Sequence, residues 1–564
     1  MGVGRWLLPL PALVALGLVL RFGVDVPYMD GWDTPGALLA RAAEHPLALA
    51  DLVGQHNESR PAFPRMIFAA LAWTIGWHAK LYMLLSWGCL AVTGLALQRL
   101  AARRLHAGGW ALGISFLLQA LLFSPIQHQN QLWGVQLVVF VPAACLATML
   151  VLASTSRPLR VVFPACMILA FVATYSYANG MICWLLGCPA PWLALQRHAR
   201  GESATGGGSL VIWTAAWTLA ALAVVGAYFH DYQTPAHHAG FAALWTEPAR
   251  VAGFLLAWLG LPARAISRDV AGAQAVGLAL VVGGAAVLAP LLWRGIVRRE
   301  WRLLSDLSPW LVLLAYGAAS GTVTAAGRSF LGTEAALSGR YASFAIWIPI
   351  GVLGAVGASW PTAGVGRRTL AARGALVVAI ASLAAWSWIR GVSLLPDHHY
   401  GREQKLLTLR FAEALPRDPL LAQVYPVPEV LRERATILRA RDILRIAPAG
   451  SFVKEALLET VQDPASGGWA SRRLAPNQRL VSAIAQLPGS GRTPEAVLVA
   501  VTSPDGAPLP LSVVAPYSRS GEPRFFTILP LEAELVGANL QLYAVDLRQE
   551  TLHPLPRVKA ARRR

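Results

Sequence analysis

The run AGAQAVGLALVVGGAAVLAPLLW, residues 271–293, carries no charged side chain. Wound as a helix it is long enough to cross a hydrocarbon core of about 30 Å. Backbone inside lipid has no water to bond with, so a helix is the form in which such a run satisfies its own N–H and C=O groups. Comparable apolar segments lie at 6–22, 80–98, 109–124, 132–153, 160–177, 180–196, 209–229, 308–326, 341–359 and 374–390. With 55% hydrophobic and 14% charged residues over 564 positions, a soluble class is excluded. The expectation is a polytopic α-helical membrane protein of about eleven spans, its partner a lipid bilayer.

The charge supports that count. With the eleven segments as crossings, Arg5, Arg99/Arg103/Arg104, Arg157/Arg160, Arg197/Arg200, Arg294/Arg298/Arg299/Arg302 and Arg367/Arg368/Arg373 fall on one side. The other loops are poor in Lys and Arg, so the positive-inside rule makes the arginine side cytoplasmic. The net charge of +18 is thereby an orientation signal, and no nucleic-acid partner is implied. Two further apolar stretches, 66–78 and 249–262, must then not cross. Both are short and contain or adjoin an arginine, and they read as outer-face interfacial or re-entrant helices. The opening MGVGRWLLPLPALVALGLVL resembles a signal peptide but shows no convincing cleavage site, so it reads as a retained first helix. Cys89, Cys145, Cys166, Cys183 and Cys188 lie in apolar segments without CxxC spacing, which implies neither disulfides nor a metal site.

From about residue 397 the composition shifts. Residues 401–460 have an amphipathic helical pattern interrupted by prolines. Between 495 and 555 the short apolar runs EAVLVAVTS, LPLSVVA, RFFTILPL and LQLYAVDL alternate with Pro, Gly, Asp and Asn, as strands do. The predicted organisation is a transmembrane module at 1–396, with a long first outer loop at 23–79, and an α+β domain at 397–564. An odd number of spans puts that domain outside. The basic end VKAARRR reads as a solvated terminus.

Polar residues collect on the predicted outer face: Asp30 and Asp33, then QHNESRPAFPR (55–65), QHQNQLWG (127–134), SYANG (176–180), HDYQTPAHH (230–238) and AGRSFLGTEAALSGRY (326–341). A carboxylate beside a partly desolvated surface suits a general base, which makes Asp30 and Asp33 candidates, with Glu58 a further one. Arg60, Arg65, Arg328 and Arg340 suit a phosphate, since the guanidinium fork matches its oxygens. Gln127, Asn130 and Trp133 offer amides and an indole to a sugar. The pairs His237/His238 and His398/His399 lack an acid or cysteine to complete a ligand set, so no metal residues are assigned. No cofactor is implied; a divalent metal is compatible with the acids without being required.

The motifs PYMDGW, HNESR with PR after it, FSPIQHQNQLWG, SYANG and SGRYASF, in this order, resemble an uncharacterised bacterial branch of the GT-C superfamily of membrane glycosyltransferases. Protein O-mannosyltransferases and the lipid A aminoarabinose transferase belong to that superfamily. The resemblance covers about residues 1–390 and departs at Gly31, Ser59 and Gly339, where the branch usually has Glu, His and Ser. It implies a GT-C-like fold in the bacterial cytoplasmic membrane and a sugar donor carried on polyprenyl phosphate. It further implies inverting transfer on the outer face to a hydroxyl of a glycan, lipid or protein, in building cell-envelope polysaccharide or a related product. Asp30 is then the base, and His56, Asn57, Asn179 and Tyr341 join the substrate-binding residues. The alternative is a transporter or flippase of a lipid-linked saccharide. That class expects an internal repeat and mid-membrane charges, and neither stands out here.

Overall fold

The computed structural model of the protein describes residues 6–105, 109–201, 207–234, 242–263, 269–360, 366–458, 463–475, 478–502, 508–517, 523–530 and 539–558. The principal helices in chain order are α1 (Leu10–Phe22), α2 (Ala62–Ile75), α3 (Ala79–Arg104), α4 (Gly109–Leu122), α5 (Leu137–Ala153), α6 (Leu159–Thr174) and α7 (Pro189–Arg200). They continue as α8 (Gly207–Phe229), α9 (Pro248–Leu259), α10 (Val270–Ile296), α11 (Trp301–Arg328), α12 (Trp347–Ala358), α13 (Arg367–Arg410) and α14 (Pro428–Ala440). Among the described residues nine helical segments are long and apolar enough to cross a membrane. The architecture is that of a multi-pass helical membrane protein.

Nine of the eleven expected segments coincide with those nine. The two that do not, 6–22 and 160–177, form α1 and α6, helices of 13 and 16 residues. Both fall short of the ~20 residues of an ordinary span. The stretches 66–78 and 249–262 fall in α2 and α9, of 14 and 12 residues, also short. Phe254 and Trp258 are fully buried in a cluster with Ala325, Leu337 and Phe344.

The chain forms two compact units. The first comprises Met1–Arg21, Ala48–Met66 and Leu81–Ser393; the second comprises Phe22–Leu47, Ile67–Lys80 and Leu394–Arg564. Two stretches of the expected first outer loop therefore fold with the C-terminal part of the chain.

In the first unit glycine sets the closest helix contacts. A Cβ on Gly354 of α12 would lie 2.0 Å from the Trp310 ring of α11, and one on Gly351 would lie 2.7 Å from the Trp310 carbonyl. Likewise Gly277 of α10 meets the Leu256 carbonyl of α9. Lipid tails give helices no hydrophobic reason to associate, so backbone approach over small residues supplies the packing.

In the second unit two antiparallel four-stranded sheets form a sandwich. Strands β1 (Ser466–Ala475), β2 (Gln478–Gln486), β3 (Ala496–Thr502), β4 (Pro508–Val514), β5 (Pro516–Tyr517), β6 (Arg524–Pro530), β7 (Leu540–Asp546) and β8 (Thr551–Pro554) assemble in the orders β1-β2-β6-β5 and β4-β3-β7-β8. The four expected strand segments contain β3, β4, β6 and β7. Strands β1 and β2 begin earlier than expected. The former is rich in Gly and Arg, and the inward positions of the latter are Val481, Ala483 and Ala485, too small to give a strong alternation. Strand β3 is continuously apolar for a visible reason. Val497, Val499 and Val501 face the sandwich core, and Ala496 and Leu498 face Leu407, Phe411 and Val453. The β1-β2-β6-β5 sheet keeps a partly exposed outer face, carrying Ile484, Phe526 and Ile528.

Candidate functional site

The HNES segment folds as a tight turn in which His56 and Ser59 exchange both backbone hydrogen bonds, at 2.7 and 2.9 Å. Asn57 at its tip has φ of 49°, a left-handed conformation that asparagine adopts more readily than most residues. Three anchors hold the turn. Gln55 donates to the Gln233 carbonyl (2.6 Å) and accepts from its N–H (3.0 Å). The Ala178 N–H donates to Ser59 Oγ (3.1 Å), and Tyr228 Oη donates to the Glu58 carbonyl (2.7 Å). The Glu58 carboxylate then stands 3.8 Å from Arg328 Nη2 at the end of α11.

The other motifs of the first unit arrive at the same place. Asn130 donates to the Arg340 carbonyl (2.7 Å) and to Ser343 Oγ (2.9 Å), tying QHQNQ to SGRYAS. Gly339 fits because a side chain there would collide with Gln129. Tyr177 stacks on Phe344 at 5.9 Å, and Tyr341 meets Phe254 edge-on. In SYANG, Gly180 is required because a Cβ would fall 1.8 Å from the Ala173 carbonyl oxygen. Burial pushes the Tyr177 phenol above its usual range; Glu58 and Tyr341 add to this, while Arg328 and Arg340 oppose it. The phenol is therefore a proton-bearing donor within reach of the field of one carboxylate and two guanidinium groups. Its role was missed in the sequence, where only its place in SYANG pointed to it.

Several expected binding residues make bonds within the protein. Arg60 donates to the carbonyls of Tyr228 (2.8 Å), Val53 (3.2 Å) and His230 (2.7 Å). Arg65 is buried and donates to the carbonyls of Asp51, Leu52 and Gly54, closing the C-terminal end of the short helix Leu49–Val53. Burial lowers the Arg65 pKa to about 10, partly opposed by Asp51, so it stays charged at neutral pH. Gln127 is 0% exposed and donates to the Leu122 carbonyl at the end of α4. Trp133 is 8% exposed. Arg60, Arg65 and Gln127 thus supply donors to carbonyls at helix ends and in loops, which need them. His56 and Asn57 stay at the turn, and Asn179 is buried next in sequence to Ala178, whose N–H anchors the turn. Arg340 differs from the other arginines. It is exposed, and no acid pairs with it among the described residues.

Asp30 and Asp33 belong to the second unit, where they differ sharply. Asp33 Oδ1 accepts from Tyr425 Oη (2.6 Å) and Arg434 Nη1 (3.3 Å), and Arg434 also donates to the Trp32 carbonyl. Asp33 thus fastens its segment to α14. Asp30 is half-buried, with no hydrogen bond or ion pair to its carboxylate among the described residues. Preceding it, Met29 has φ of 48° and donates its N–H to the Val424 carbonyl. A non-glycine residue in that region costs about 1–2 kcal/mol and marks a place where the surroundings dictate the backbone.

Among the described residues no group of three or more His, Cys, Asp or Glu side chains is placed to hold a metal ion. His237 and His238 lie outside the described residues. Comparison with protein families, with curated proteins and with solved structures finds no match for this chain.

Proposed function

We propose that the chain is an inverting membrane glycosyltransferase that takes a sugar from a polyprenyl-phosphate donor and passes it to an acceptor hydroxyl. The observation that carries this reading is the convergence of HNES, QHQNQ, SYANG and SGRY on one cluster containing Glu58, Tyr177, Arg328 and Arg340. Arginine forks and a phenolic O–H suit a lipid-linked phosphate that becomes the leaving group. Arg340, lacking an acid partner, is the proposed phosphate ligand. Glu58 is the carboxylate of that cluster; Asp30 of the second unit, the aspartate of its pair that no neighbour occupies, is the base that the family resemblance implies, and the variants below choose between them. The acceptor O–H bond breaks toward the base, the new C–O bond forms at the anomeric carbon, and the phosphate departs with its electron pair.

The proposed setting is a bacterial cytoplasmic membrane with the N-terminus and the arginine-rich loops inside, which requires α1 and α6 to cross. A hairpin supports this for α6, which follows α5 after the short connection 154–158 and packs on it. A reporter active only outside the membrane should be active when fused after Leu395 and silent after Arg368.

Transfer of a radiolabelled sugar from polyprenyl phosphate in membranes containing the protein tests the activity. Asp30→Asn should lower turnover by about 100- to 10,000-fold at normal expression, the usual contribution of a general base. Full activity of that variant with loss in Glu58→Gln would move the base to Glu58. Absence of transfer with every polyprenyl-phosphate sugar would remove the enzymatic reading.

A further inference from the structure

Where α3, α5 and α7 end and α11 begins, the first unit contains a cavity of about 450 Å³ lined by Arg103, Arg104, Arg200, Arg302, Ser305 and Asp306, among others. Its size falls within the range of about 300–1,000 Å³ typical of small-molecule sites. Four arginines face a single aspartate. That aspartate is already engaged: Arg104 Nη1 lies 3.1 Å from Asp306 Oδ1 and 3.1 Å from Ser305 Oγ.

Arg103 and Arg302 are held differently. Arg103 donates to the Ser154 carbonyl (2.9 Å) just beyond α5, and Arg302 donates to the Ala199 carbonyl (3.2 Å) near the end of α7. Each guanidinium has five N–H donors, so one such bond orients the group and leaves most of its fork unspent. Neither has an acid partner among the described residues. Arginines that serve orientation alone need no common cavity, and Arg157 in the connection after α5 and Arg160 in the first turn of α6 are exposed and do not line this one. A concave, cationic site concentrates field and favours an anion. Basic pockets between spanning helices are suited to phosphate headgroups.

We propose that this cavity binds a phosphate group, with Arg103 and Arg302 as its two forks and Arg104, fixed by Asp306, as the rear wall. The phosphate belongs to the headgroup of an anionic phospholipid or to a free phosphate ester. This inference does not rest on the glycosyltransferase reading.

The test uses the full-length protein in detergent, with native mass spectrometry reading retained ligand. Phosphatidylglycerol should be retained over phosphatidylcholine, and the double variant Arg103→Gln/Arg302→Gln should bind it at least about tenfold more weakly. Arg157→Gln/Arg160→Gln should bind as the parent does. Arg302→Lys keeps the charge and should retain more binding than Arg302→Gln. Unchanged melting of the double variant in phosphatidylcholine separates lost binding from lost fold. Competition by glycerol 3-phosphate identifies the phosphate as the recognised group. Binding of glycerol 3-phosphate without phosphatidylglycerol assigns the soluble source. The proposal is overturned if neither ligand binds the parent, or if the cavity variant and the Arg157/Arg160 variant retain phosphatidylglycerol equally.

Discussion

Helix α11 carries Arg302 near its first turn and Arg328 at its last, about 39 Å apart at 1.5 Å per residue. At the first end arginines outnumber acids around a cavity, and the one aspartate is matched by one of them. At the other end Arg328 stands opposite Glu58, and Arg340 is left exposed near the half-buried Tyr177. Both ends are arginine-rich, yet they differ in what surrounds the charge. The first offers a concave cationic lining, while the second mixes a carboxylate, a phenol and guanidinium groups. An anion can be held at either, but the carboxylate of the first lies 3.1 Å from Arg104, whereas that of the second stands 3.8 Å from Arg328. The lesson is that an arginine's role follows from how many of its donors the backbone already uses. Arg60 and Arg65 use three each on carbonyls, whereas Arg340 uses none on an acid.

The contrast between a paired and an unpaired acid gives the largest expected stability effect. Asp418 is buried, accepts from the Leu420 N–H (2.9 Å) and Ser512 Oγ (2.8 Å), and forms no ion pair among the described residues. Burial raises its pKa from 3.8 to about 7, against the opposing effect of those hydrogen bonds. Between those pH values the folded chain keeps a proton that the unfolded chain has released. Stability is therefore greatest below pH 4 for this group and falls as pH rises toward 7, by up to about 4 kcal/mol. Hydrogen exchange of β4 amides, corrected for intrinsic rates, should show the trend, and Asp418→Asn should flatten it. A pH-independent β4 in the parent would remove Asp418 as its cause.

Next in size is the contrast between arginines. Arg65→Gln strands three carbonyls and should destabilise the first unit by about 2 kcal/mol, read as a lower melting temperature in detergent. Arg340→Ala should leave melting within about 0.5 kcal/mol while raising the KM for the lipid donor roughly tenfold or more. If Arg340→Ala melts early and Arg65→Gln does not, the division between structural and free arginines is wrong.

The smallest effect belongs to the turn. Ser59→Ala removes the acceptor for the Ala178 N–H and should cost about 1 kcal/mol, with turnover falling only as far as Glu58 shifts. Loss of activity as complete as in Glu58→Gln would show that the turn, and not the carboxylate alone, is the functional element.

Much of this molecule was legible in its sequence. Apolar length and the absence of charge picked out the nine helices long and apolar enough to cross a membrane among the described residues, because lipid leaves a backbone few alternatives. Alternation with turn residues located β3, β4, β6 and β7. The order HNES, QHQNQ, SYANG and SGRY marked segments that do come together. Residue types alone could not say which of their polar side chains would be consumed. Gln127, Arg60 and Arg65 look like binding groups in the sequence, and only folding placed helix ends and carbonyls in front of them. Asp30 and Asp33 look equivalent three residues apart, yet Tyr425 and Arg434, some four hundred positions away, occupy one and leave the other. Composition and periodicity report what a segment must do with its own backbone and its apolar surface. Which donors and acceptors remain for chemistry is a property of partners distant in the chain, and so the tertiary structure alone decided it.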